Sequence, residues 1–232
     1  MDNSILPIDV CEAVIDAVRG YTIWNEAYRT WRTTALVCNA WVSRSRFNML
    51  RDACVWTVSQ AELLRRTIER NPSAANDVHA LCYSFRQAYV PIVYFAAPAL
   101  FPKCRELTLR TDWSRFPSGY LSRIRHESLG ITKLVLHVDG LTAGEFFRFV
   151  WSLAELDHLE VRGQFRFRKG EVGLSETLSD ILSRTKKHTG CAKLEYLDIE
   201  GCSSTANFPP TGGFGTNVRF LSLACPDGVS AC

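Results

Sequence analysis

Residues able to do chemistry are plentiful in this chain, but their spacing is poor for catalysis. Five histidines stand at 79, 126, 137, 158 and 188. None enters an H-E-x-x-H pair or meets a cysteine at zinc-ligand spacing, so metal-assisted hydrolysis has no ligand set. No G-x-S-x-G is present to raise a serine nucleophile. The cluster Gly212-Gly213-Phe214-Gly215 lacks the Lys-Ser/Thr of a phosphate cradle. It also precedes a predicted strand, whereas such a cradle follows one and opens a helix. Beside Pro209-Pro210 it reads as a loop. His137 and His158 fall in or beside predicted strands, where they are expected as solvated side chains on one face. These patterns predict a chain that is not an enzyme, with no catalytic residue, no cofactor and no metal.

One segment, Arg162-Gly-Gln-Phe-Arg-Phe-Arg-Lys169, interleaves cations with rings. That mixture can stack bases and neutralise phosphates, which makes RNA binding an alternative function. An exposed loop between repeats is the default reading of this segment, and a protein-binding surface, where Arg and aromatics make good anchors, is a further one. A net charge of +3 is too small to hold nucleic acid on electrostatics alone. With 47% apolar and 22% charged residues, the chain can bury a core and is not disordered in composition.

The nine cysteines (11, 38, 54, 82, 104, 191, 202, 225 and 232) are odd in number and form no C-x-x-C. Most lie within apolar segments, as reduced, buried thiols do, so a reducing compartment is expected. Met1-Asp2-Asn3-Ser4 does not open a secretory signal. The longest apolar run, Tyr89 to Pro102, is broken by Pro91 and Pro98 and falls short of the roughly 20 residues a span needs. The expected location is cytoplasmic and/or nuclear, away from membranes.

The elements that position these residues show themselves as a repeat. An apolar–any–apolar triplet recurs at Leu107-Leu109, Leu134-Leu136, Leu159-Val161, Leu197-Ile199 and Leu221-Leu223, with weaker copies at Val55-Thr57 and Leu81-Tyr83. The steps between copies are 26, 26, 27, 25, 38 and 24 residues, and the long one holds a polar insertion, Gln164 to Gly173. Alternation of this kind predicts short strands with one face inward and one wet. Between them, helical spacing appears at Leu63, Leu64, Thr67 and Ile68, at Phe146 to Leu153, and at Leu174, Leu178, Ile181 and Leu182. Parallel strands need such crossovers. The pattern predicts an α/β fold whose second part is an open leucine-rich-repeat-like solenoid with a parallel sheet, rather than a doubly wound sheet of continuous Val/Ile strands.

The first fifty residues differ. Leu6-Pro7-Ile8-Asp9 reads as a helix entry, and Gly20 as its end. The helix carries two apolar stripes, Leu6-Val10-Val14-Val18 and Ile8-Cys11-Ile15. One stripe suffices to pack a small unit, so the second predicts a further partner, unless the repeat part covers it. Asp9, Glu12, Asp16 and Arg19 read as solvated or rim positions. A second helical run is expected around Ala35-Cys38 and Trp41, and a third over Ser43 to Arg51.

This ordering of Leu6-Pro7, the apolar helix to Val18, Ala35-Leu-Val-Cys-Asn-Ala-Trp41 and Leu50-Arg51 resembles an F-box. The stretch Tyr21 to Thr34 is longer and more aromatic than the family's usual connection. With the repeats, the chain is similar to the large F-box-like families of mushroom-forming fungi.

The resemblance implies a small all-α F-box-like domain over 1–51 and a repeat domain over 52–232. It implies an adaptor of an SCF-type cullin–RING ubiquitin ligase. Leu6, Pro7, Val10, Val14, Val18, Leu36, Val37, Cys38 and Trp41 would then supply much of the apolar contact with a Skp-family adaptor, or its support. The outward strand residues Thr108, Arg110, His137, Glu160, Arg162, Asp198, Glu200 and Ser222 are the candidates for a client protein, because a curved repeat array offers an extended concave surface. The alternative is a non-catalytic scaffold whose F-box-like segment only caps the repeats. The short tail after the last strand leaves two expectations: an open sheet edge, as in a truncated product or an array completed by another chain, or a tail that folds back as a short cap.

Overall fold

The structure, a computed structural model, describes residues 7–20, 24–85, 100–116, 120–121, 130–165, 191–201, 214 and 216–224. The Leu6 position lies outside these residues. So do the helical run 174–182, most of the 164–173 insertion, three glycines of the 212–215 cluster and the tail from 225.

Three helices come first: α1 (Ile8–Ala17), α2 (Trp24–Thr34) and α3 (Asn39–Arg51). α3 runs directly into β1 (Asp52–Val55), which is followed by α4 (Val58–Arg70). Then come β2 (Ala80–Phe85), β3 (Glu106–Thr111), β4 (Lys133–His137), α5 (Ala143–Val150), β5 (His158–Arg162), β6 (Tyr196–Glu200) and β7 (Phe220–Ala224). The fold is mixed α/β. Among the described residues seven strands, all parallel, neighbour each other in chain order, without the reversal of order that marks a doubly wound fold.

Each strand carries its inward residues into two continuous apolar rows. One runs Ala53, Leu81, Leu107, Leu134, Leu159, Leu197, Leu221, and the other Val55, Tyr83, Leu109, Leu136, Val161, Ile199, Leu223. The triplets at 81, 107, 134, 159, 197 and 221 all fall within strands. The first does not: β1 ends at Val55, because Thr57 becomes the N-cap of α4. Thr57 Oγ1 accepts from the Gln60 amide and Gln60 Oε1 accepts from the amides of Trp56 and Thr57, a capping box that removes this pair from the strand. Thr142 and Glu145 cap α5 in the same way. From that helix Phe146, Phe147, Phe149 and Val150 are buried, with Phe146 against Phe165 at 5.1 Å and Phe147 against Phe214 at 5.4 Å.

The repeat also shows in how strands begin. The carbonyl of His79 receives the amides of Arg105 and Glu106, and those of Arg105, Thr132, Asp157 and Glu195 each receive the equivalent pair on the next strand. After the strands, Gly163 (φ +94°) and Gly201 (φ +85°) turn the chain off the sheet in the left-handed region that side chains resist.

The N-terminal helices depart from expectation in one respect. Ala35 to Val37 form the turn between α2 and α3 rather than a helix, and the aromatic stretch expected as a connection is α2 itself. It amounts to a helix because it can bury Ala27 and Trp31 against Ile15 and Val18, with Trp41 and Met49 packed alongside. Polar bonds tie this small core together: Trp31 Nε1 donates to the Ile15 carbonyl at 3.1 Å, and Thr34 and Ser45 share a hydroxyl hydrogen bond.

Candidate functional site

The chain presents two surfaces whose residue types suit binding. The first belongs to the helical unit. Val10 and Val14 are 41% and 51% exposed on α1, and Leu36 and Val37 are 86% and 61% exposed on the α2–α3 turn. Pro7, Ile8 and Cys38 are exposed too. The two stripes of α1 thus part company: Cys11, Ile15 and Val18 face the small core, and Val10 and Val14 are covered by neither the sheet nor the other helices. Val18, expected in the contact or in its support, is 7% exposed and belongs to the supporting core. Trp41 is half-buried and supports that core. Asp16 and Arg19 keep contact with solvent, as expected of rim positions, but each also holds an ion pair. Asp16 is gripped by Arg44 and by Asn48 at 2.8 Å, and the Arg44 bond holds its carboxyl below the usual range.

The second surface is the polar face of the sheet, arranged in three rows by the strand register. The first row holds Asp52, Ala80, Glu106, Lys133, His158, Tyr196 and Phe220. At its far end three rings lie parallel, His158 on Tyr196 at 4.0 Å and Tyr196 on Phe220 at 4.5 Å. The middle row holds Cys54, Cys82, Thr108, Val135, Glu160, Asp198 and Ser222. The last holds Ser84, Arg110, His137, Arg162, Glu200 and Ala224.

The register therefore brings the predicted client-facing residues onto one face, but does not leave all of them open. Thr108 is 6% exposed and is corrected to a buried position. It lies where the helical unit meets β1–β3, with Tyr28 of α2 edge-on to Trp56 at 4.9 Å. Arg110 and Glu200 are exposed, and His137, Glu160, Arg162, Asp198 and Ser222 are half-buried.

Ion pairs cross this face. Arg162 reaches Asp198 at 3.1 Å, Glu160 at 3.2 Å, and also Glu200. Lys133 meets Glu160 at 3.3 Å and His158 Nε2 meets it at 3.0 Å. The hydrogen bond from His158, with Lys133 and Arg162 beside it, holds the Glu160 carboxyl down at about 2. Arg110 Nε donates to His137 Nε2 at 2.9 Å. Burial, with Arg110 close by, lowers His137 to about 4.

Between the helices and this face lies a cleft of 760 Å³. Ala27 and Trp31 form one wall, and Arg110, Val135, His137 and Arg162 belong to the other. Arg19 bridges the two sides at the mouth, 3.0 Å from Asp52 and 3.8 Å from Glu106. Burial raises the Asp52 carboxyl, against the pull of Arg19. Sequence reasoning missed Arg19, Trp31, Lys133 and Glu106 as cleft residues. The last two were readable, since they sit two positions from Val135 and Thr108 and so share their face.

Other predicted features take structural roles. Phe165, in the segment of interleaved cations and rings, is buried against Phe146, and Arg162 is occupied by carboxylates; 166–169 lie outside the described residues. Cys11, Cys54, Cys82, Cys104 and Cys191 are buried. Burial pushes the Cys104 and Cys191 thiols up to about 12. Contact with Cys82, together with burial, holds the Cys54 thiol well above the ordinary range. Among the described residues no cluster of three or more His, Cys, Asp or Glu is placed to hold a metal ion, and no helix is long and apolar enough to cross a membrane. No protein-family model, curated protein or solved structure matches this chain.

Proposed function

We propose that this protein is a substrate-recognition adaptor of an SCF-type cullin–RING ubiquitin ligase, with an F-box-like helical unit over 1–51 and an open leucine-rich-repeat-like solenoid over 52–232. The observation that carries the reading is the separation of two surfaces of different chemistry. Aliphatic side chains stand exposed on α1 and on the α2–α3 turn although the unit has its own packed core. A Skp-family protein would cover Pro7, Val10, Val14, Leu36, Val37 and Cys38, each large aliphatic contributing about 1.5–3 kcal/mol when buried. The polar sheet face is left for the client. Seven parallel strands in chain order support the solenoid, whose curved face suits an extended ligand. On this reading no residue of the chain does chemistry; it holds a client near a transferase on other chains.

The test is a pull-down of the intact chain with its own organism's Skp-family protein, beside Leu36→Asp/Val37→Asp. Both residues are exposed, so the variant is expected to keep its circular dichroism and thermal midpoint. Binding by the wild type and loss in the folded variant supports the adaptor. Failure of the wild type at micromolar concentration rejects it. The scaffold reading would then lead, because Arg19 on Asp52 and Tyr28 on Trp56 already seat the helices against the first strands as a cap.

A further inference from the structure

The charges of the sheet face are balanced unevenly along its last row. Arg162 sits among three carboxylates, Glu160, Asp198 and Glu200. Lys133 has Glu160, and Arg19 has Asp52 and Glu106. Arg110, exposed and lining the cleft, differs. Among the described residues its side-chain hydrogen-bond partner is the His137 imidazole, which accepts at Nε2 and is therefore neutral. Asp139 and Arg162 are the other charged groups that act on His137. Among the described residues the guanidinium charge thus has no carboxylate at contact distance, while its fork of donors stays partly open to solvent. At the other end of the row the excess is negative: Glu200 is half-exposed and shares one guanidinium with two further carboxylates.

Resting on the adaptor reading above, we propose that the cleft binds an extended peptide segment of the client protein, with an acidic side chain on Arg110 and a basic side chain on Glu200. Strands lie about 4.8 Å apart, so β3 and β6 set these two anchors about 14 Å from each other, the reach of about four extended residues. The segment crosses the strands at right angles along the row Arg110, His137, Arg162, Glu200. A carboxylate meets the Arg110 fork in a charge-assisted bond, sheltered on one side by Trp31 and Ala27. The volume of 760 Å³ falls within the range of about 300–1,000 Å³ that specific ligands occupy. Nucleic acid is disfavoured because Asp52, Glu106, Glu160 and Glu200 offset the four cations of the same cleft, leaving no excess positive charge for a phosphate chain.

The probe is a phage-displayed library of random dodecapeptides panned on the intact chain, with enriched sequences remade as fluorescent peptides and read by anisotropy. Enriched peptides are expected to carry Asp or Glu about four residues from Lys or Arg. Arg110→Gln is expected to weaken them by about tenfold or more, and Glu200→Gln by less. Arg110→Glu with Glu200→Lys should prefer the peptide with its two charges exchanged. No enrichment, enrichment without an acidic residue, or binding indifferent to Arg110→Gln in a variant of unchanged thermal midpoint overturns the proposal. The Skp-family pull-down runs on the same variants. Skp binding with failed peptide binding rejects the cleft alone, whereas peptide binding without Skp binding upholds the cleft and rejects the adaptor.

Discussion

Strands β1 and β2 are buried at every position, whereas β4, β5 and β6 alternate between buried and half-exposed residues. All five supply the same two apolar rows to the core, so the inward face does not explain the contrast. The outer face does: on β1 and β2 it carries the buried Cys54, Ala80, Cys82 and Ser84 and one buried carboxylate, Asp52, held by Arg19, whereas on β4 to β6 it carries Lys133, Glu160, Arg162 and Asp198. Small, weakly polar residues fit beneath packed helices, and charges stay where water and one another can reach them. The cleft opens where one regime gives way to the other, so the binding candidates cluster there.

Removing the cover is the strongest way to break this contrast. Trp31→Ala empties most of a four-residue core and is expected to cost about 3–5 kcal/mol. Cys54 and Cys82 should then alkylate readily, read by mass spectrometry, while Cys191 stays protected. Equal protection of all three would mean that α2 is not what covers β1 and β2. Leu159→Ala, in the centre of the shared row, is expected to cost about 2–5 kcal/mol in urea unfolding. It should leave the difference between Cys54 and Cys191 unchanged before global unfolding.

A smaller effect is expected from Gly163→Ala. A methyl group there meets the Asp139 carboxylate at 2.5 Å on a backbone at φ +94°, so a loss of about 1–3 kcal/mol in thermal stability should appear. Gln164→Ala, which keeps the backbone amide that bonds Asp139, should be silent by the same measurement.

The charged half should also answer to pH through Glu160 and His137. Glu160 is held at about 2, below its ordinary 4.5, so its contribution is complete above pH 4.5 and is lost as the pH falls toward 2. His137, lowered to about 4 from 6.5, contributes fully above 6.5 and loses that contribution between 6.5 and 4. Urea midpoints across this range should fall in two steps, with His137→Gln flattening the upper and Glu160→Gln the lower. A profile that neither variant changes would show that the face's ion pairs contribute nothing to folding.

The strands were readable because period-two alternation is a local signal, and Leu107, Leu134, Leu159, Leu197 and Leu221 repeat it with similar neighbours. β1 was displaced because Val55-Trp56-Thr57 alternates equally well, and the competing capping box with Gln60 prevailed. The aromatic content of α2 masks its spacing as a helix, although Ala27, Trp31 and Thr34 lie at helical intervals along the face that packs inward. A second signal went unused. Before three strands stand Phe101-Cys104, Leu153-Leu156 and Cys191-Leu194, turns whose end residues are buried and whose middle pairs are exposed.

What the sequence determined by itself is therefore local and periodic: which residues alternate, where helices cap, and that Val10, Val14, Leu36 and Val37 are more apolar than a small unit requires. Which of those faces is covered, and by what, is a property of packing between segments far apart in the chain. Thr108 and Glu160 occupy equivalent places in the repeat, and Val14 and Val18 the same stripe of one helix. Only the tertiary structure buries the first and last of these four and leaves the others in reach of water, because burial depends on the neighbour that arrives and not on the pattern that invites it.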